Sequence, residues 1–459
     1  MICGLLACIA DIYVFKLGKE WFGEKIAFNC FLVNLVSWFN FFCITRSLSN
    51  SLETILTLPA LFFLFKSLRA SEEGKSSEDR RKGLLLAALS CLVRPTALAL
   101  WIFFGAYLMF KQASKGKRRV LVFSSETLLV GFAQNFLSLF LFLTFSLFVR
   151  VVCVGFQVLV DRLGYGFWTF TLFNFFQFNF LSGQSDFYGR NDWHWYFTNG
   201  IPTVLFTHSL LLFGGLVLCS RRVLNEKKNL VAFLLDERMA LFLGMVWMVF
   251  VYSFAGHKEF RFILTLVPVA SIYCGLFTEN SLSSQTNEDR SRKMRLRHYI
   301  VLILLLSNLL PLLFFSTAHQ RGTLDLMEKV RTDSSVSSIL FLMPCHSTPF
   351  YSHIHKNIHM RFLDCSPPLH KNTSHSVESD LFFEDPQNFT HKIFLDYKTQ
   401  NKPFPTHVAL FRPVEEFVKE VLFQLGFRPV SLFYHTLFPV DSRQGDVLLY
   451  QRMYNKMES

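Results

Sequence analysis

Long apolar runs joined by short basic loops are the feature that most restricts what this chain can fold into. The runs 26–44, 52–67, 84–110, 201–219, 239–255, 262–277 and 299–315 approach the ~20 residues an α-helix needs to cross a hydrocarbon core of about 30 Å. In lipid every backbone N–H and C=O must be paired within the protein, so helices are the economical way across. The expected class is therefore an α-helical polytopic membrane protein. Hydrophobic residues make up 51% of the 459 positions, with 55 Phe among them, more than one soluble core would bury. The net charge of +12 does not indicate a nucleic-acid partner, because the basic residues sit in loops rather than along one face.

Those loops set an expected topology. Lys66, Arg69, Lys75, Arg80, Arg81 and Lys82 form one basic cluster, and Lys111, Lys115, Lys117, Arg118 and Arg119 a second; Arg221 to Lys228 and Arg290 to Arg297 follow. All four belong on the cytosolic side by the positive-inside rule. One helix over 84–110 would put its two basic flanks on opposite sides. A break at Arg94-Pro95 removes the conflict, since proline lacks a backbone donor and disfavours helix in the residue before it. Two short half-helices with a luminal tip are expected there, and 299–315 then rises to a luminal C-terminal region. The expected domains are 1–317, membrane-embedded, and 318–459, a small α/β unit built on runs such as Ile339 to Met343 and Val447 to Tyr450. Two glycosylation sequons, at Asn372 and Asn388, lie in that region and agree with a luminal location. Cys345 and Cys365 fall there too and are candidates for a disulfide, while most other cysteines lie in apolar segments as small hydrophobes.

On this topology the unusual polar residues collect on one side. Arg46, Asn50 and Glu53 occur in Thr45–Glu53, Arg94 at the break, Trp193, His194 and Trp195 in Tyr188–Tyr196, and His257, Lys258, Glu259 and Arg261 in a single HKEFRF string. Charges held at a membrane edge are costly and mark a candidate site. A guanidinium at a broken span calls for a phosphate or carboxylate partner; an internal pair of Arg94 with Glu53 answers the same need. Aromatic rings among hydrogen-bonding groups suit sugar faces, and equally suit an interfacial anchoring belt. The Phe-rich stretch Phe167 to Phe180 reads as an amphipathic interfacial helix. His346, His353, His355 and His359 match no zinc-ligand spacing, and no DxD element is present, so neither metal nor cofactor is implied.

CITRSLSNSLET, LVRPTALALW, FNFFQFNFL, FYGRNDWHWYFTNGIP and HKEFRF together resemble, over most of the chain, the motifs of the endoplasmic-reticulum mannosyltransferases that use dolichyl-phosphate mannose. HQRGTLDLM and MPCHSTPFYSHIH are similar to the branch that adds the third mannose to glycosylphosphatidylinositol (GPI) precursors. The resemblance implies a GT-C-like multi-span fold in the endoplasmic-reticulum membrane with a luminal active face. It implies an inverting α-1,2 transfer from dolichyl-phosphate mannose to a GPI-precursor glycolipid. Arg94, His257, Lys258, Arg261, Arg46, Asn50, Glu53, Trp193, His194 and Trp195 then become the candidate residues for donor phosphate and substrate. Two other readings stay open: an α-mannosyltransferase of N-glycan precursor assembly, and a non-catalytic lipid-binding or transport protein. Transporters commonly carry internal repeats, and none is evident.

The chain also departs from that family. The resemblance places the catalytic carboxylate in an acidic luminal loop after a first span, whereas this sequence opens on Ile2 to Ala10, about ten apolar residues, too few to cross a bilayer. It has no basic n-region of the kind that marks a signal peptide. Residues 120–160, where the family has one span, are longer here, and Asn135 to Cys153 reads as an insertion. The expectation is a shortened form with little or no transferase activity. Glu259 is the fallback base, and Asp11 is placed near a cytosolic boundary, on the wrong side.

Overall fold

The computed structural model describes residues 2–69, 73–113, 155, 158–178, 182, 184–227, 229–282, 291–366 and 377–453. The chain divides into two compact units, Met1–Leu312 and Leu313–Ser459. The tract at 135–153 and the sequon asparagine Asn372 lie outside the described residues.

The first unit is helical. Helix α1 spans Ile2–Phe22, 21 residues, about 30 Å at ~1.5 Å per residue. Although it is not among the described helices apolar enough to cross a membrane, the helix continues well past the ten apolar residues Ile2 to Ala10 and carries Asp11 at mid-helix. The reason is lateral: Ala7, Ala10, Val14, Leu17, Gly18 and Trp21 form a buried stripe at helical spacing, and Asn34 Nδ2 donates to Asp11 Oδ1 at 2.7 Å. A polar group with a partner does not end a helix.

The run 26–44, read as one span, is two helices, α2 (Glu24–Val36) and α3 (Trp38–Ile44), bent by 69° at Ser37. Helix α4 (Ser49–Arg69) and helix α5 (Glu73–Val93) follow. The break at Arg94-Pro95 is present: Arg94 is extended at φ −149°, a 3-10 turn covers Pro95–Ala97, and α6 runs Leu98–Ala113. The flanking helices are not short half-helices, since α5 continues through the basic loop to Glu73. Among the described residues of the Phe-rich stretch, Thr171–Phe176 forms an α-helix, and residues 179–181 lie outside the described residues. A second bent pair, α7 (Tyr196–Leu205) and α8 (His208–Glu226), turns by 101° through Phe206 at φ 50°. Helices α9 (Glu237–Ser253) and α10 (Leu266–Leu282) have 17 residues each. The run 299–315 is also broken, into α11 (Ser291–Leu306) and α12 (Leu309–Thr317). Among the described residues, Ser49–Arg69 and the interrupted helical stretch His298–Thr332 are long and apolar enough to cross a membrane, and each bent pair adds one more if counted as a span.

Small residues let these helices approach closely, as lipid-embedded bundles require. A Cβ on Gly215 of α8 would lie 2.0 Å from the Tyr273 carbonyl oxygen of α10, and one on Gly275 would lie 2.4 Å from the Cys30 backbone nitrogen of α2. The three broken spans satisfy one another. Asn308 Oδ1 accepts from the Trp38 N–H at 3.5 Å, and Asn308 Nδ2 donates to Thr207 Oγ1 at 2.7 Å. Thr207 Oγ1 in turn donates to the Leu304 carbonyl at 2.8 Å, and Trp38 Nε1 donates to the Thr203 carbonyl at 3.1 Å.

The second unit is α/β. Strands β1 (Ser338–Leu342), β2 (His359–Phe362), β3 (His407–Phe411), β4 (Phe427–Phe433) and β5 (Val447–Arg452) form one sheet in the order β2-β1-β3-β5-β4. β1 is parallel to β2 and β3, and β5 is antiparallel to β3 and β4. The period-two alternation of a strand divides its core. Leu340, Leu342, Val408 and Leu410 face one side with Val414, Val418 and Leu422 of the helix Arg412–Gln424. Ile339, Phe341, Ala409 and Phe411 face the other with Leu326, Met327 and Val330 of the helix Gly322–Thr332. A Cys345–Cys365 disulfide joins the segments after β1 and β2. Asn388 is exposed in the first turn of the helix Pro386–Thr399, and the sequon's Thr390 is buried, donating to the Pro386 carbonyl at 2.6 Å.

Gly215→Ala is expected to push α8 from α10 and to destabilise the chain by ~1–3 kcal/mol, whereas Gly105→Ala, where a Cβ meets nothing within 4 Å inside α6, is expected to raise stability by up to ~1 kcal/mol, alanine being the better helix former. Thermal unfolding of both variants in detergent checks this.

Candidate functional site

Antiparallel packing of α4 against α5 brings the buried charges together. Lys66 pairs with Asp79 at 3.1 Å, a Cβ on Gly83 would meet the Leu64 side chain at 2.6 Å, and Arg94 Nε lies 3.4 Å from Glu53 Oε2. These three contacts follow a single antiparallel register, so the carboxylate near the start of α4 comes opposite the residue at which α5 stops. The two side chains are only 11% and 5% exposed. Of the two partners that the sequence leaves open for Arg94, the structure holds the internal carboxylate.

The Arg94 guanidinium is fixed on two further sides. Its Nε donates to Thr96 Oγ1 at 2.7 Å, and its plane lies 4.6 Å from the Phe262 ring centroid, within cation–π range. Among the described residues its terminal nitrogens have no hydrogen-bond partner, and the Glu53 carboxylate accepts no hydrogen bond. Tyr252 Oη donates to the Thr96 carbonyl at 3.1 Å, securing the turn after the break. Asn50, one turn before Glu53, is buried with its Nδ2 unpartnered. Thr54 and Thr265 hydroxyls lie 2.9 Å apart, which ties α4 to the start of α10.

The HKEFRF string packs on the segment Tyr188–Tyr196. Asn191 N–H donates to the Gly256 carbonyl at 3.0 Å, and Lys258 Nζ donates to the carbonyls of Asn191 at 2.8 Å and Ala255 at 2.5 Å. Lys258 is therefore buried as a staple between two loops, and burial lowers the pKa of its ammonium, as desolvation of a cation does. His257 Nδ1 lies 3.0 Å from the Gly189 carbonyl and its Nε2 lies 3.1 Å from Glu259 Oε1. Arg261 donates to the same Glu259 oxygen at 2.6 Å. The Trp195 ring packs tilted against Phe260 with centroids 4.8 Å apart, while Trp193 is exposed and His194 lies 3.7 Å from Asp192. Arg46 is exposed, its guanidinium 3.7 Å from the Phe42 ring centroid.

Asp11 is not part of this cluster. Thr96, Phe262 and Asn191, which lie in the segments that the sequence collects on one side, are, and so is Gly256, which the sequence reading did not single out. Gly256 had a readable signal, a glycine directly before HKE: a Cβ there would lie 2.2 Å from Asp186 Oδ1. In the second unit, His346 Nε2 lies 3.6 Å from Cys365 Sγ, but both neighbouring cysteines are in the disulfide and offer no thiolate to a metal.

Removing Arg94 alone would leave Glu53 buried without its counterion, which costs ~3–5 kcal/mol for such pairs. Arg94→Ala is expected to unfold at clearly lower temperature than Arg94→Ala/Glu53→Gln, and a double-mutant cycle of thermal unfolding measures the difference.

The Alg9-like mannosyltransferase family matches residues 1–355. The chain is 33% identical to the GPI alpha-1,2-mannosyltransferase 3 of Bos taurus, covering 98% of this chain and 73% of that protein. It is 35% identical to the mannosyltransferase APTG1 of Arabidopsis thaliana, covering 97% and 76%. In fold it is similar to ArnT from Cupriavidus metallidurans, solved bound to undecaprenyl phosphate, at a TM-score of 0.53 and 9% identity over 97% of this chain and 83% of that one. The likeness to ArnT carries the polytopic helical fold, and the match over residues 1–355 carries the family: the chain belongs to the Alg9-like mannosyltransferases.

Proposed function

We propose that this chain transfers mannose from dolichyl-phosphate mannose in α-1,2 linkage to a GPI-precursor glycolipid, on the luminal face of the endoplasmic-reticulum membrane. The observation that carries the reading is Arg94, a guanidinium held at a broken span whose terminal nitrogens have no hydrogen-bond partner among the described residues, in a chain similar over 98% of its length to proteins named GPI alpha-1,2-mannosyltransferase 3.

In such a transfer the acceptor hydroxyl oxygen forms a bond to the mannose anomeric carbon as the bond from that carbon to phosphate oxygen breaks. The electron pair leaves with dolichyl phosphate, and the hydroxyl proton goes to a carboxylate. Negative charge grows on the phosphate, so prepositioned cations lower the barrier. Arg94 has the planar fork for this role, and Arg261 is the second cation, shared with Glu259. Lys258 and His257 act on the loops that carry these groups. Trp193, Trp195 and His194 line the aromatic side of the candidate sugar site. For the proton, the described residues offer Glu53, beside Arg94, and Glu259, beside Arg261, and the family resemblance offers an acidic loop.

Arg94→Lys keeps a charge for Glu53 but loses the fork; it is expected to reduce transfer by about 10²–10³, the size of effect from removing one charge-stabilising donor. The assay uses purified chain, dolichyl-phosphate mannose and a dimannosyl GPI glycolipid, with the product tested for release by an α-1,2-mannosidase. It is run beside the same chain extended by an acidic luminal loop. Product from the chain itself puts the base among Glu53 and Glu259, which their Gln variants then separate; product from the extended chain alone puts it in the loop. Transfer by neither, or to an N-glycan precursor instead, overturns the reading.

A further inference from the structure

The second unit carries a run of large apolar side chains outside both of its cores. Leu432 and Tyr434 are exposed at the end of β4, and Leu437, Phe438 and Val440 in the following loop are 67%, 69% and 74% exposed. From Leu432 to Val440 the sequence Leu-Phe-Tyr-His-Thr-Leu-Phe-Pro-Val has no Asp, Glu, Lys or Arg. Charge returns immediately afterwards, with Asp441 and Arg443 paired at the loop's edge. An exposed apolar patch of this kind, rimmed by polar groups, marks a surface that meets either a partner protein or a membrane.

Its position favours the membrane. The Phe438 ring packs 6.0 Å from Phe314, His319 Nδ1 lies 2.8 Å from Thr436 Oγ1, and the Arg321 N–H donates to the His435 carbonyl at 3.1 Å. The loop is thereby fixed against the C-terminal end of α12. That helix reads Leu-Leu-Pro-Leu-Leu-Phe-Phe-Ser-Thr and exposes Leu310 and Leu313. It belongs to the candidate span His298–Thr332, of whose most apolar stretch only 17% is buried within the protein. A helix with so little protein around it has lipid as its apolar environment, and a loop seated at its end lies at the depth where hydrocarbon meets headgroups. Phe and Leu on such an element bury in the acyl boundary, with charged residues left in the headgroup layer.

We propose that Leu432–Val440 is a membrane-dipping loop, which inserts Leu437, Phe438 and Val440 into the lipid leaflet on the side of the C-terminal unit and holds that unit against the bilayer. The loop has no part in the chemistry proposed above, so its test is independent of that reading. Full-length chain carrying p-benzoylphenylalanine at Phe438 is reconstituted into phosphatidylcholine–phosphatidylethanolamine vesicles, irradiated and analysed by mass spectrometry. The control carries the same label at Phe417, an exposed position on the helix Arg412–Gln424 of the same unit. Lipid adducts at least tenfold more abundant at 438 than at 417 are expected. Equal lipid labelling at both positions, no lipid adduct at 438, or a protein adduct there overturns the proposal, the last making the patch a protein interface. The label at Val440 provides a second position if the first disturbs folding, as judged by thermal unfolding.

Discussion

A broken helix inside lipid exposes backbone groups that no water can satisfy, and the first unit depends on how that problem is solved. Three breaks, at Ser37, Phe206–Thr207 and Ser307–Asn308, are answered largely by one another's side chains: Asn308 spans from the Trp38 N–H to Thr207 Oγ1, and Thr207 Oγ1 reaches the Leu304 carbonyl. Each of these contacts removes an unpaired donor or acceptor that would be costly in hydrocarbon. Glycine contacts do the complementary work. At Gly215 and Gly275 the helices meet backbone to backbone, which sets the spacing that makes these hydrogen bonds possible.

The fourth break holds the candidate site. At Arg94 the helix ends because proline follows, and the freed guanidinium is met by Glu53, Thr96 and the Phe262 ring rather than by solvent. The cost of a buried ion pair is recovered only with good geometry, and this pair has a long 3.4 Å contact with no hydrogen bond between the partners. A loosely held pair is a poor structural device but a good resting arrangement for a group that is to receive a second anion. The tighter ion pairs of unit one, such as Arg238 with Asp236 at 2.8 Å, lie elsewhere and have no such opening.

The sequence was legible where one residue dictates the backbone or where a pattern repeats. Pro95 showed the break, HKEFRF and its companion motifs showed the family, and short apolar runs such as Ile339 to Met343 indicated an α/β unit. It was misleading where hydropathy was used to draw ends. The apolar run Ile2 to Ala10 stops at Asp11, yet the helix continues to Phe22, with Asp11 met by Asn34 of the next helix. The run 26–44 looked straight, yet it bends by 69° at Ser37, where Asn308 from a distant helix meets the Trp38 N–H; the run 299–315 does belong to one candidate span, interrupted only by the turn at Ser307–Asn308. Lys258 looked like a free cation on the site, whereas two carbonyls hold its ammonium between loops.

What the sequence determined by itself is local and compositional: a helical membrane chain, a kink at Arg94-Pro95, a family of mannosyltransferases, and a small α/β region at the C-terminal end. Only the tertiary structure decided which charges meet and which helices bend. The register of α4 on α5 sets Glu53 against Arg94, the packing of Tyr188–Tyr196 on HKEFRF takes up Lys258, and Asn308 binds two breaks at once. The physical reason is that in lipid a polar group's energy is governed by whether a partner reaches it, and that partner comes from another part of the chain.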